Sequence, residues 1–174
     1  MQAHLERLRV LVVDDNLHMI NIVKTILHGF GVRNIVEARD ATEAFARLGN
    51  GPVDLAIVDY ELGVLDGVEF LRLLRSGKDV PDPFLPVIML TSHSERSRVV
   101  AARDAGVTEF CAKPISPRDL WRKIAECVSH PRPFVRAESF FGPDRRRRED
   151  GFPAPERRGQ AGPAAAADDE PVAQ

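Results

Sequence analysis

Short apolar runs alternate with helical patterns through residues 1–129, and this alternation constrains the fold of the chain more than any other feature. Three of the runs are almost continuously apolar. Strands of that composition are buried on both faces, as in a parallel sheet. Two weaker candidates bring the number of strands to five. The strand candidates are residues 10–13, 34–38, 53–58, 86–90 and 107–111.

Helical periodicity fills the segments between the strand candidates. Apolar side chains recur at helical spacing from Ile20 to Phe30 and again from Leu120 to Val128. Ser116 before Pro117 is typical of a helix start. Further helices are predicted from residues 41, 67 and 96, the last of them on the surface. Alternating strands and helices predict an α/β fold, a doubly wound five-stranded parallel sheet with right-handed crossovers.

The composition changes at residue 130. Residues 130–174 contain seven of the 13 prolines and no Leu, Ile or Met. A segment so poor in aliphatic side chains is expected to be mostly disordered. One part, residues 133–148, combines aromatic residues with four consecutive arginines and is a candidate docking motif. A solvated linker, a docking segment and a nucleic-acid contact all remain open for it.

Charge and cysteine content exclude several classes of protein. No run approaches the roughly 20 apolar residues of a membrane span, and the first residues lack the apolar core of a signal peptide. Two cysteines, Cys111 and Cys127, do not make a disulfide scaffold and are expected to be buried. The net charge of −2 argues against a globally basic nucleic-acid-binding protein. Together these features predict a cytoplasmic protein.

Polar residues with related chemistry follow four of the strand candidates. Asp14 and Asp15 follow the first, Asp59 the third, Thr91 the fourth and Lys113 the fifth. Because the carboxyl ends of parallel strands share one edge of the sheet, these side chains are expected to converge. Three converging carboxylates need a cation, and oxygen ligands favour Mg²⁺. With the hydroxyl and the lysine, the set suits phosphoryl transfer to a carboxylate nucleophile.

In order and position, these residues resemble the receiver domain of two-component response regulators, in particular the stand-alone receivers of the chemotaxis type. The resemblance covers residues 8–129 and implies a flavodoxin-like (βα)5 receiver fold followed by a C-terminal tail. Each motif alone is weak, but the ordered set at successive strand ends is specific. The matching segments are Val12-Val13-Asp14-Asp15-Asn16, Val58-Asp59-Tyr60-Glu61-Leu62, Asp66-Gly67, Leu90-Thr91-Ser92 and Ala112-Lys113-Pro114.

The resemblance implies a role for each acid. Asp59 would accept the phosphoryl group. Asp14, Asp15 and Asp59 would hold Mg²⁺ together with the backbone carbonyl of Glu61. These expectations carry over residue by residue from the matching motifs.

The resemblance also implies roles for residues around the acceptor. Thr91 would bond the phosphoryl group in the active state, and Lys113 would contact a phosphoryl oxygen through a loop with a cis bond to the following proline. Phe110 stands at the aromatic switch position that turns inward on activation. Glu61 and His93 would influence the rate of dephosphorylation.

A chain with this set is expected to be a bacterial single-domain response regulator, a phosphoacceptor rather than an enzyme. A histidine kinase or phosphotransfer protein would supply the phosphoryl group. Residues 130–174 show no pattern for an effector domain, so the output is expected to be a surface read by an unknown protein. The resemblance implies that this surface is the face built from the fourth helix, fifth strand and fifth helix. The alternative is a nucleic-acid or RNA-binding regulator that acts through the arginine-rich tail, since the overall charge leaves a local basic patch open.

Two other interpretations of the acids are weaker. Asp14 and Asp15 could cap the following helix, but Asp59 and Lys113 would then be coincidental. Haloacid-dehalogenase-like phosphatases also combine an aspartate nucleophile, Mg²⁺, threonine and lysine. Their first two acids are two residues apart and a late acidic pair follows, whereas here Asn16 follows an adjacent pair and no acidic pair follows Lys113 in the folded region.

Overall fold

The computed structural model describes residues 5–63, 65–77, 80–92, 96–137 and 140–144. Within these ranges no helix is long and apolar enough to cross a membrane. The strands are β1 (Arg9–Val13), β2 (Asn34–Ala38), β3 (Leu55–Asp59), β4 (Val87–Thr91), β5 (Glu109–Ala112), β6 (Phe134–Ala137) and β7 (Phe140–Pro143). The helices are α1 (Leu17–Gly29), α2 (Ala41–Gly49), α3 (Gly67–Ser76), α4 (Arg96–Asp104) and α5 (Pro117–Ser129).

The central sheet is parallel, with the strand order β2-β1-β3-β4-β5. Helices cover both of its faces, since α2, α3 and α4 pack on one side and α1 and α5 on the other. Successive side chains of a strand point to opposite faces. In β1, for example, Leu11 joins the first apolar cluster and Val12 the second. Burial on both faces explains the continuously apolar strand sequences, and the predicted doubly wound α/β fold is confirmed.

The strand ends differ slightly from the sequence prediction, and the difference matters for the site. The third and fourth strands each extend one residue further than predicted, so Asp59 and Thr91 are their last residues. Both side chains are therefore held by the hydrogen-bonded sheet rather than by a loop.

The layer formed by α1 and α5 holds the only tryptophan of the chain. The ring of Trp121 meets the ring of Phe30 edge-on, with 5.0 Å between centroids and an interplanar angle of 68°. Cys111 and Cys127 are buried in the same layer and are not bonded to each other, as the sequence predicted.

The start of the tail takes one of the alternatives left open for residues 133–148. Strands β6 and β7 pair as an antiparallel hairpin that lies against the end of α3, so this part of the tail is a docked segment. The hairpin packs through the rings of Phe134 and Phe141 rather than through aliphatic side chains. Both rings contact Phe84, in the segment between α3 and β4. Residues 145–174 lie outside the described residues.

Candidate functional site

Three carboxylates meet at the carboxyl edge of the central sheet. Asp14 and Asp15 directly follow β1, and Asp59 ends the neighbouring strand β3. Carboxylate oxygens of the three residues lie within 4.8 Å of one another. Asp14 is 1% exposed and Asp59 is 7% exposed, whereas Asp15 is open to solvent. The structure thus brings together the three acids that were expected to converge.

Lys113 lies against two of these acids. Its Nζ is 2.9 Å from Oδ1 of Asp59 and 3.3 Å from Oδ2 of Asp14. The backbone N–H of Lys113 donates to the carbonyl of Thr91 at 2.8 Å, which joins the end of β5 to the end of β4. The peptide bond between Lys113 and Pro114 is cis, as expected. Four strand ends therefore contribute to one site.

Thr91 completes the set from β4, the strand next to that of Asp59. Its side chain is largely buried, at 8% exposure. The N–H of Tyr60, the residue after Asp59, donates to the carbonyl of Leu90 at 2.9 Å. This bond continues the pairing of β3 with β4 past the last residue of β3. The sheet thereby fixes the backbone of Thr91 relative to that of Asp59.

Burial sets the electrostatics of the site. It raises the pKa of Asp59, and the nearby charge of Asp14 acts in the same direction, while the hydrogen bond from Lys113 offsets part of the effect. Burial alone would lower the pKa of Lys113, but its pairing with Asp59 and Asp14 outweighs burial, so that pKa is raised. The raised pKa keeps Lys113 charged at neutral pH. The ionised form of Asp59 lowers the stability of the folded protein, because burial disfavours the charge.

The donor set fits a small, hard divalent cation. All the candidate ligands are oxygens, which such ions prefer, and three carboxylates outnumber the single lysine charge beside them. Asp15 reaches solvent and gives an ion a route of entry. Burial, and to a lesser degree the charge of Asp14, raises the pKa of Asp59, so a cation beside this carboxylate would favour its ionised form. Asp14, Asp15 and Asp59 are the residues that could hold the ion.

The electrostatics give a pH-dependent prediction for the cation-free protein. We expect the Asp59→Asn variant to unfold at a temperature a few degrees higher than the wild type at neutral pH, because it removes a poorly solvated charge. The pKa of Asp59 is higher folded than unfolded, so wild-type stability gains as pH falls through that value. The difference in unfolding temperature between Asp59→Asn and the wild type should therefore become smaller as the pH is lowered. Thermal unfolding in a chelator, from about pH 8 to about pH 4, measures it.

A variant less stable than the wild type at neutral pH would contradict this prediction. So would a difference that grows as the pH falls. The matched control is Asp54→Asn, an exposed acid at the opposite edge of the sheet whose carboxylate accepts the N–H of Arg9 at 2.8 Å. That variant should not become more stable than the wild type.

The other residues singled out from the sequence lie around this centre or outside the described residues. Glu61 is exposed, and its Oε1 is 2.9 Å from Nη1 of Arg98 on α4. Phe110 is half-buried on β5 and packs against the apolar cluster on the α2–α3–α4 side. His93 lies outside the described residues, as do the arginines of residues 145–148.

Helix α1 is capped by Asn16, which the sequence analysis did not consider for that role. The Asn16 Oδ1 accepts the N–H of His18 at 2.9 Å, and the Asn16 N–H donates to Oδ1 of Asp14 at the same distance. Asparagine before a helical pattern is a familiar N-cap signal that could have been used. The capping contacts use neither the Asp15 carboxylate nor Oδ2 of Asp14, and both remain part of the acidic cluster.

Gly67 belongs to the Asp66-Gly67 segment that matched the receiver family, but the sequence assigned it no role in the site. It begins α3 against the end of β3, and its N–H donates to the carbonyl of Tyr60 at 2.8 Å. A β-carbon here would lie 3.2 Å from the Tyr60 Cα and 3.3 Å from the Asp59 carbonyl carbon. The absence of a side chain therefore allows α3 to begin directly against the end of β3.

Comparison with known proteins agrees with this site. Residues 10–125 match the model of a family described as the response regulator receiver domain. The chain is 32% identical over 117 residues to the chemotaxis protein CheY of Pseudomonas aeruginosa, which covers 67% of this chain and 93% of that protein. It is 31% identical over 125 residues to CheY-3 of Vibrio cholerae, which covers 71% of this chain and 95% of the relative.

Solved structures give the same result for the fold. The chemotaxis response regulator CheY4 of Vibrio cholerae superposes with a TM-score of 0.64 at 26% identity, covering 70% of this chain and 98% of that one. A CheY-like response regulator receiver domain protein of Methanospirillum hungatei gives a TM-score of 0.63 at 30% identity, covering 70% and 94%.

Proposed function

The chain belongs to the response regulator receiver domain family, and from that premise we propose that it is a single-domain response regulator phosphorylated on Asp59. One observation carries the proposal. The buried Asp59 carboxylate contacts the Lys113 ammonium at 2.9 Å within a cluster of three acids that suits a divalent cation. A receiver that had lost phosphate chemistry would have no need of this costly arrangement of buried charge.

In the proposed reaction, a carboxylate oxygen of Asp59 attacks the phosphorus of a phosphohistidine on a histidine kinase or phosphotransfer protein. The new bond is an oxygen–phosphorus bond of an acyl phosphate, and the bond to the histidine nitrogen breaks, with the imidazole taking up a proton. Lys113 contacts a phosphoryl oxygen and Thr91 hydrogen-bonds another. Mg²⁺, held by Asp14, Asp15, Asp59 and the Glu61 carbonyl, would neutralise charge on the transferred group.

The protein would act as a phosphoacceptor rather than as a catalyst of turnover, with self-dephosphorylation as its only further chemistry. Water attacks the acyl phosphate, and the residues near its path set the lifetime of the phosphoryl group. By resemblance to the family, Glu61, which pairs with Arg98, and His93 are the residues that influence this lifetime. The free cysteines, both buried, accord with a cytoplasmic location.

The output would be a change in the surface formed by α4, β5 and α5. Phosphorylation shifts an existing equilibrium between inactive and active states, and a partner protein that prefers the active state reads the shift. Phe110 lies on β5, and its half-buried ring packs against the apolar cluster on the α2–α3–α4 side. The downstream partner is a protein rather than a nucleic acid in this proposal.

A labelling experiment tests the proposal. The full-length protein is incubated with a small acyl phosphate, with Mg²⁺ or with a chelator, and its intact mass is measured. We expect one phosphoryl adduct that forms only with Mg²⁺. If no adduct forms with the small donor or with a phosphorylated histidine phosphotransfer domain, the proposal is wrong.

A further inference from the structure

The C-terminal hairpin is held by contacts that the family motifs do not include. The rings of Phe134 and Phe141 each lie against Phe84, with centroid separations of 5.3 and 5.2 Å. The guanidinium of Arg75 lies 5.0 Å from the centre of the Phe134 ring. Arg75 is only 5% exposed and donates to the carbonyls of Pro83 and Gly106 at 2.7 and 3.1 Å. The hairpin therefore covers the buried Arg75 guanidinium, whose hydrogen bonds to Pro83 and Gly106 link two loops.

The backbone of the hairpin also packs directly against the backbone of the loop before β5. A β-carbon on Gly142 would lie 2.7 Å from the Gly106 Cα, and a β-carbon on Gly106 would lie 2.8 Å from the Phe141 carbonyl oxygen. Real β-carbons do not approach backbone atoms so closely, so this contact requires glycine on both sides. It fixes β7 against the segment that leads into β5.

An ion-pair network attaches the start of the tail to the first residue of β5. Glu109 is 5% exposed, and its two carboxylate oxygens pair with Lys123 of α5, at 2.6 Å, and with Arg132. Arg132 lies in the link between α5 and the hairpin. The tail is therefore paired with Glu109, the first residue of β5. Lys113, which directly follows the last residue of the same strand, forms an ion pair with Asp59.

Phe110, one of the three residues between Glu109 and Lys113, lines a groove together with residues of the tail. A groove of about 180 Å³ lies beside β5, and its walls include Phe110, Arg103 of α4, Arg132 and Pro143 of β7. The aromatic side chain that the proposed function assigns to the switch is therefore in the same groove as the docked tail. Any inward turn of the ring would remove one wall of that groove.

We infer that the hairpin is a tethered inhibitor of phosphorylation: when docked, it holds β5 and Phe110 in the unphosphorylated arrangement. This inference rests on the proposed function and adds its regulation. Phosphorylation of Asp59 makes Lys113 exchange a carboxylate partner for a phosphoryl oxygen, and Lys113 directly follows β5, the strand that the hairpin restrains. Coupling between two sites is reciprocal, so the acyl phosphate must also loosen the hairpin.

The test uses Gly142→Ala in the full-length chain, because one added methyl group meets the backbone of Gly106. The matched control is Gly29→Ala, at a helix position where a β-carbon would have nothing within 4 Å. We expect Gly142→Ala to take up the phosphoryl group from a small acyl phosphate and Mg²⁺ about fivefold faster than the wild type, or more. Gly29→Ala should match the wild type.

Hydrogen exchange of the hairpin amides gives an independent readout. In the wild type, phosphorylation should speed exchange over residues 134–143, and Gly142→Ala should show fast exchange without phosphorylation. A second variant with alanine at both Phe134 and Phe141 should behave like Gly142→Ala. If the hairpin stays protected in both variants, the contacts that carry the inference are wrong.

The outcomes separate this inference from the proposed function. Adducts that form at equal rates on the wild type and on a variant with a released hairpin would overturn the inference and leave the phosphoacceptor role standing. Slower labelling after release would overturn it as well, because the hairpin would then promote phosphorylation. A complete absence of adducts on all variants would overturn both.

Discussion

Asp59→Asn is expected to abolish the Mg²⁺-dependent phosphoryl adduct. The amide keeps the shape of the side chain but has no anionic oxygen to attack phosphorus. Neither Asp14 nor Asp15 can replace it, because Asp14 is fully buried behind Lys113 and Asp15 has no lysine partner among the described residues. Intact mass after incubation with a small acyl phosphate measures the loss.

A control must show that the loss of the adduct in Asp59→Asn does not result from unfolding of the variant. Asp59 contributes to no apolar cluster, and the variant keeps a side chain of the same size, so its unfolding should remain cooperative. Asp54→Asn, at the opposite edge of the sheet, should label as the wild type does. An adduct on Asp59→Asn equal to that of the wild type would show that another residue is the acceptor.

Gly67→Ala is expected to cause the largest loss of stability among single methyl additions to the site. The new β-carbon would press on the backbone of Asp59 and Tyr60, and backbone at the end of a central strand cannot move aside as a flexible side chain can. Overpacking of this kind costs about 1–3 kcal/mol of unfolding free energy. The displaced acceptor should also label more slowly.

Urea unfolding and the labelling rate together measure this effect. Gly49→Ala is the control, because it makes the same change within a helix at a position with open space. Alanine favours helix over glycine, so the control should be as stable as the wild type or slightly more stable. A Gly67→Ala variant as stable as Gly49→Ala would mean that α3 shifts freely, and the close approach would have no structural role.

The central fold was predictable because each of its features has a local signal. Strands buried on both faces have continuous apolar sequences, and the helices between them have apolar stripes. The acids, Thr91 and Lys113 could be grouped from their positions along the chain, because parallel strands bring their carboxyl ends to one edge. Only the strand ends were off by a residue or two, where local sequence carries least information.

For the hairpin, the sequence could only name a docking segment as one of three alternatives for residues 133–148. The tail has few large aliphatic residues, and its packing depends on three phenylalanine rings, one of them 50 residues away in the chain. Arg75 illustrates the difficulty best. An arginine near a helix end is usually exposed, and only the tertiary structure supplies the two carbonyls and the ring that bury this one, lowering its pKa to about 10.

The edge-on packing of Trp121 on Phe30 provides an optical probe of this molecule. Trp121 is the only indole in the chain, and Tyr60, beside Asp59, is the only phenol. Indole emission therefore reports the α1–α5 layer, on the far side of the sheet from the hairpin, and phenol emission reports the acceptor loop. A titration in which the tyrosine signal changes and the tryptophan signal stays constant would follow chemistry at the acceptor without any attached dye.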